Sequence, residues 1–359
     1  MLLPFHNVIR KALIVAVFFA LTAPVASAEV LEELYLARVS VSDQSAEQRA
    51  GRLPVALDQV LVRIGGTQAV GLAALVEDPA TLMRRYQYRS GGDDRLTLEV
   101  EFDERAVDRL LRDHGQTVWG RERPRTLVWL AVRDGADRRV VGRGDGGAAG
   151  RAIERASRSR GVPVRLPMWD RQDQSVVEFV DLWGGFFESV ERASERYDAD
   201  VFLIGRVERD SRGSYLSRWT LIENGQRQSW ERAAASLDGA VEGGVAELAD
   251  MQISRLGTAV GTMDRATARI VVDGVHGLRD YARVLSYLEG LSPVSGVYVT
   301  RAHAARLELN VLVQGTPQRL DDVIRVGSVL DPTPTTAHAF DAERLDGGRP
   351  HFIYAFGGG

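Results

Sequence analysis

The chain has 359 residues, a formal charge of −4, no cysteine and, beyond Lys11, no lysine. The missing cysteines exclude disulfides, thiol nucleophiles and thiolate metal sites. The missing lysines exclude Schiff-base chemistry, a Ser–Lys dyad and a phosphate-loop lysine, so every basic side chain after residue 11 is arginine or histidine.

Residues 1–28 read as a cleavable export signal. Arg10 and Lys11 form the charged start, residues 12–23 an apolar run, and Pro24 breaks it. Ala26 and Ala28 place small residues at the −3 and −1 positions, so cleavage is expected after Ala28. The run is shorter than the roughly 20 residues a spanning helix needs. With no cysteine to carry a lipid, the product is expected to be soluble and periplasmic, without a membrane span. Its acidic balance argues against nucleic acid as the partner. The remaining length suits two or three domains of roughly 100–150 residues each.

Residues 29–115 read as a small α+β domain. Leu34 to Val41 alternates as a strand, and apolar residues from Ala46 to Ile64 recur at helical spacing. Pro54 inside that pattern predicts a kink or restart. A short helix is expected over 68–76 and another after Asp78-Pro79, then strands around Tyr86–Tyr88 and over 95–102, joined by Gly91–Asp94. Asp103 is placed to cap a helix carrying Val107, Leu110 and Leu111. Residues 116–124 are polar, end in proline and read as a linker.

Residues 125–256 read as a middle α/β domain with an open mixed sheet. The apolar run 126–132 predicts a buried strand, and Arg133 to Arg139 a polar turn. Then come a helix over 148–160, a strand over 162–166, a helical stretch over 175–196 broken at Gly184-Gly185, and a strand over 200–207. A hairpin turns at Glu223-Asn224-Gly225 and a helix spans 237–256. Residues 266–356 read as a third domain in βαββαβ, ferredoxin-like order, with 351–356 as last strand and Pro332 and Pro334 in a loop.

Arg123-Pro124 before the first middle strand, residues 164–170 (VRLPMWD), Asp181-Leu182-Trp183 and residues 196–206 together form a distinctive set. On these phrases the chain resembles a proteobacterial envelope family known as domain of unknown function 2066. The middle domain is also similar to the amino-terminal domain of the Tol–Pal translocation protein. These resemblances imply a Gram-negative periplasm and adaptor or assembly work. They bring no catalytic residue with them.

Candidate chemistry is sparse. Gly142, Gly144 and Gly147 match the dinucleotide pattern, but Asp145 would put a negative charge into a phosphate site, which favours a plain loop. His114, His276, His303, His338 and His351 show no metal-ligand spacing, and His114 suits a helix C-terminus. No cofactor or metal is implied. Asp93-Asp94, Asp103-Glu104 and Asp321-Asp322 suit turns and helix starts. Asp170 and Asp173 follow a strand at its C-terminal end, where α/β sheets bind ligands, while capping of the next helix is the plainer role.

All six tryptophans lie between Trp119 and Trp230, with Trp129 expected in the core. A partner or ligand surface is therefore sought among Trp169, Asp170, Asp173, Asp181, Trp183, Trp219 and Trp230. The leading expectation is a non-enzymatic adaptor or envelope-assembly accessory that contacts another envelope protein. The alternatives are a small-ligand or cell-wall-glycan binding protein, or a hydrolase using the carboxylates near Asp170.

Overall fold

A computed structural model describes residues 29–30, 33–90, 96–257, 265–333 and 352–357. The export segment with Ala28, the Gly91–Asp94 turn, Pro334, His338 and His351 lie outside the described residues. The chain is a mixed α+β, multi-domain protein; among the described residues its strands form three main sheets and one short two-stranded ladder.

Strand β1 (Glu29–Val30) precedes β2 (Leu36–Val41), which buries Ala37, Val39 and Val41 and turns the residues between them outward. Ser45 then caps α1 (Ala46–Gly65), accepting from the Gln48 N–H at 3.2 Å. Leu53, Leu57, Val60, Leu61 and Ile64 form its buried stripe. The helix runs through Pro54 without the expected restart. Ala50, whose carbonyl loses its i+4 donor there, is exposed, so water can take that bond. Two short 3₁₀ turns, Thr67–Ala69 and Leu72–Leu75, stand where one helix was expected. Strands β3 (Met83–Ser90) and β4 (Leu96–Phe102) complete an antiparallel sheet in the order β2-β4-β3. Asp103 caps α2 (Glu104–Asp113), accepting from the Ala106 N–H at 2.8 Å.

The stretch 116–124, read as a linker, is instead a buried junction. Val118 belongs to the apolar cluster of the first sheet and the adjacent Trp119 to that of the middle sheet. Strand β5 (Glu122–Arg123) pairs with β1, and the Trp119 N–H donates to the Ile64 carbonyl at 2.9 Å. Polarity misled here because the polar side chain is itself part of the interior: Arg123 is 0% exposed.

The middle sheet contains β6 (Thr126–Asp134), β7 (Asp137–Val141), β8 (Val164–Arg165), β9 (Val201–Arg209), β10 (Tyr215–Glu223) and β11 (Gln226–Ala234). Its order is β11-β10-β9-β6-β7, with β8 beside the start of β6. Strands β8 and β9 run parallel to β6, and the remaining pairs are antiparallel. The expected polar turn at 133–139 is the β6–β7 hairpin, and the expected strand 162–166 shrinks to two residues between Pro163 and Pro167. Helices α3 (Ala148–Arg160) and, later, α7 (Leu237–Leu256) share one core with one face of the sheet. The other face is covered by α4 (Arg171–Val176), α5 (Phe179–Gly184) and α6 (Phe187–Ser194). These three short helices replace the single interrupted stretch expected over 175–196.

The last sheet is built from β12 (Arg265–Asp273), α8 (Leu278–Gly290), β13 (Val294–His303), β14 (Arg306–Gln314), α9 (Pro317–Val326), β15 (Leu330–Pro332) and β16 (Phe352–Phe356). The strand order is β13-β14-β12-β16-β15. This keeps the split βαβ arrangement of a ferredoxin-like unit, with one addition. Strand β15, through Pro332, takes the outer edge antiparallel to β16, and β16 inserts between it and β12, parallel to β12. Helix α9 touches both β5 and α7, so this unit also meets the 116–124 junction.

Candidate functional site

The sequence candidates converge only in part. Asp170 caps α4, its carboxylate accepting from the Asp173 N–H at 3.0 Å. Arg196 grips the same carboxylate through two nitrogens, at 2.9 and 3.0 Å, and reaches Asp173 at 3.1 Å. The Arg196 hydrogen bond, helped by the Asp173 N–H, holds Asp170 down at a pKa of about 2. Asp173 is 0% exposed and accepts from the Tyr197 hydroxyl and from the Trp169 N–H, the latter at 2.8 Å. Every oxygen of this carboxylate pair therefore has a partner within the fold. Asp181 is likewise committed, forming a capping box with Glu178 at the start of α5, with its carboxylate 2.7 Å from the Glu178 N–H.

The tryptophans do not form one face. Trp169 and Trp183 pack against the core under α4–α6, whereas Trp219 and Trp230 belong to the opposite core under α3 and α7. Trp169 is half-buried at a positive φ of 52° and meets Trp129 edge-on at 6.3 Å. Trp183 stacks on Phe179 at 5.2 Å and carries the Arg133 guanidinium 4.4 Å above its ring. Trp219 is 0% exposed, enclosed between Gly205 of β9 and Gly244 of α7; a Cβ at either glycine would overlap its indole. Trp230 pairs across the hairpin with Trp219 and is half-buried. Trp219 and Asp173 are thus withdrawn from any surface, because the fold uses both as interior groups.

Other candidates also serve the fold. The Asp145 carboxylate folds back to accept from the Gly147 N–H at 2.8 Å. It thereby occupies the first donor a phosphate would need at the start of α3. A strand, β7, does precede this loop directly, contrary to the sequence reading. His114 Nδ1 lies 2.9 Å from the Leu110 carbonyl at the end of α2. Asp321 is buried inside α9, where the Tyr354 hydroxyl donates to it at 2.8 Å and Arg325 at 2.7 Å. It ties α9 to β16 rather than marking a helix start. Among the described residues no group of three or more His, Asp or Glu is placed to hold a metal ion, and no helix is long and apolar enough to cross a membrane.

Two features escaped the sequence reading. The first is an apolar patch at the α5–α6 corner. Phe186 is 65% and Val180 53% exposed. Val180 and Gly184 lie one turn apart on α5, and the Phe186 ring rests on Gly184, which places the two side chains together. The only sequence hint is the Phe186-Phe187 pair, since adjacent residues at a helix start cannot both face the core; Phe187 takes the buried place. The second is a groove of about 740 Å³ between α3, β8 and the Arg196–Tyr197 corner. Its lining comes from four separate segments, so no local pattern announces it.

The family described as Domain of unknown function (DUF8605) matches residues 28–120. No curated protein matches the chain. The match falls on the first sheet and the junction rather than on the middle phrases, and it is to a different domain. It overturns the assignment to domain of unknown function 2066, and the Tol–Pal likeness drawn with it is withdrawn as well.

Proposed function

We propose that the chain is an exported periplasmic accessory protein that works by contact with another envelope protein and performs no chemistry of its own. The observation that carries this reading is the Val180–Phe186 patch, flanked by the half-buried Phe179–Trp183 stack. A large exposed aromatic beside a rigid stacked pair supplies contact area at small entropic cost, as interface anchors do. The export-like pattern of residues 1–28 supports a partner in the envelope. The sequence candidates for acid–base work, Asp170 and Asp173, are engaged in capping, in ion pairing and with a tyrosine hydroxyl, which supports binding over hydrolysis. Glycan stacking would call for open indole faces, and Trp219 is enclosed.

The test is a photo-crosslinking amino acid placed at Val180 or Phe186 in cells, with Leu278, 83% exposed, as the control site. The expected result is one discrete envelope-protein adduct from positions 180 and 186 that is absent from 278. An identical adduct pattern at all three positions, or none at 180 and 186, refutes the reading. Fractionation that leaves the protein in the cytoplasm also refutes it.

A further inference from the structure

We infer that the groove between α3 and β8 is a binding site for an anionic amphiphile: a phosphate or carboxylate head on an apolar body. This goes beyond the contact function, because it rests on other residues. The groove is a notch in the edge of the middle sheet. Strand β8 pairs with β6 only at Thr126 and Leu127, and β7 takes up the same edge from Leu130 onward. The chain between them is drawn aside, and the Arg143 N–H is tied to the Pro167 carbonyl at 2.6 Å.

The floor and the rim differ in chemistry. Ile153, Val164, Leu166 and Met168 line it with apolar surface. Arg143 and Arg158 stand at its rim, both exposed and with no ion pair among the described residues. Arg165 and Arg196 also line it, but both are already engaged, Arg196 with Asp170 and Asp173. Glu154 is the only carboxylate among the described lining residues. Two guanidinium groups facing one carboxylate, on an acidic chain, leave a local positive field where the global one is negative. Guanidinium forks suit phosphate and carboxylate oxygens, and the apolar floor suits an alkyl or aromatic body. The volume lies in the range of small-molecule pockets, roughly 300–1,000 Å³.

The test uses the purified protein and calorimetric titration with decyl phosphate below its micellar concentration. Inorganic phosphate serves as the head-only probe and decyltrimethylammonium as the tail with the wrong charge. The expected result is one site per chain for decyl phosphate, at least tenfold tighter than for either control. The Arg143→Gln/Arg158→Gln double variant, which changes only exposed side chains, should weaken it at least tenfold with an unchanged far-UV spectrum. A Met168→Glu variant should do the same through the floor. Flotation with phosphatidylglycerol vesicles separates the sources: co-flotation lost in the double variant identifies a lipid headgroup, and binding of the soluble probe alone identifies a free ligand. Equal affinity of wild type and double variant for decyl phosphate, or equal affinity for all three probes, overturns the proposal.

Discussion

Replacing Arg123 by methionine should uncouple the first unit of this protein from the middle sheet. The guanidinium uses all five of its N–H groups on main-chain carbonyls. Nε donates to Gly120 at 3.0 Å, Nη1 to Arg160 and Gly161 at 3.2 and 3.0 Å, and Nη2 to Arg63 and Trp119 at 3.1 and 3.0 Å. Its plane also lies 3.9 Å over the Trp119 ring. Arg63 is in the last turn of α1, and Arg160 and Gly161 are at the end of α3, so these are carbonyls that a helix leaves without an internal partner. Both helix dipoles present their negative ends to the cation. Burial lowers the guanidinium pKa to about 9, which still leaves it charged at neutral pH.

The magnitude is a difference of large terms. Hydrogen bonds from a charged donor contribute about 1.5–3 kcal/mol each, so five would suggest roughly 10 kcal/mol. Removing the cation also removes its desolvation penalty, which is several kcal/mol. The net loss expected for Arg123→Met is therefore about 3–5 kcal/mol, as when one partner of a buried charged group is deleted. Arg123→Lys, with three donors, should lose about 2–3 kcal/mol. The assay is urea denaturation followed by tryptophan fluorescence, with limited proteolysis of residues 116–124. Arg123→Met should lower the first midpoint and open the junction to protease while the middle sheet still unfolds late. A loss below about 1 kcal/mol, with the junction still protected, would refute the reasoning.

Three further outcomes are expected. Gly244→Ala should destabilise by about 1–3 kcal/mol or more, because the new Cβ overlaps the enclosed Trp219, whereas Gly243→Ala, whose Cβ would have its nearest neighbour at 3.9 Å, should be neutral or stabilising; thermal denaturation compares them. Asp173→Asn should cost about 2–4 kcal/mol by leaving Tyr197 and Arg196 mismatched, while Asp170→Asn should cost less, since asparagine also caps; equal losses in denaturation would contradict the burial argument. Burial pushes the Glu99 pKa up, but Arg38, Arg89 and Gln87 outweigh it and hold it at about 2 in the folded protein. Its folded pKa is depressed, so its stabilisation is present above the unfolded value of 4.5 and is lost as pH falls from there toward 2. Glu99→Gln should flatten that part of an acid-unfolding profile, and an unchanged slope counts against the assignment.

What was legible in the sequence follows from periodicity and turn chemistry. The bounds of α3 and α7 coincide with their expected spans, and the β10–β11 hairpin turns at Asn224-Gly225, both at positive φ. These elements each bury one face, so the pattern survives in the sequence. Strand β7 did not read as a strand because Asp137, Arg138 and Arg139 sit on the sheet edge, where water accepts polar side chains on both faces. The capping role of Asp170 depends on local chemistry and was readable in kind. The separation of the tryptophans onto two faces, and the meeting of Arg143, Arg158 and Leu166 in one groove, depend on strand order. Nothing local encodes that order.

The absence of lysine acquires a structural sense at the same junction. Codon preference can explain why arginine replaced lysine on the surface, where either serves. In the interior the two are not interchangeable. Arg63 donates to the carbonyls of Glu33, Leu34 and Leu36 at 3.2, 3.0 and 2.7 Å, and Arg123 to five more. Arg160 pairs with Asp250 of α7, and that carboxylate also accepts the Thr67 N–H at 3.0 Å just beyond α1. These three guanidinium groups, all within one neighbourhood, join the end of α1, the end of α3 and the face of α7. A planar fork with five donors can satisfy carbonyls that diverge from one point, and an ammonium with three cannot. A protein without disulfides therefore holds its units together through arginine-to-carbonyl clasps, which leave no apolar signature and read as a linker.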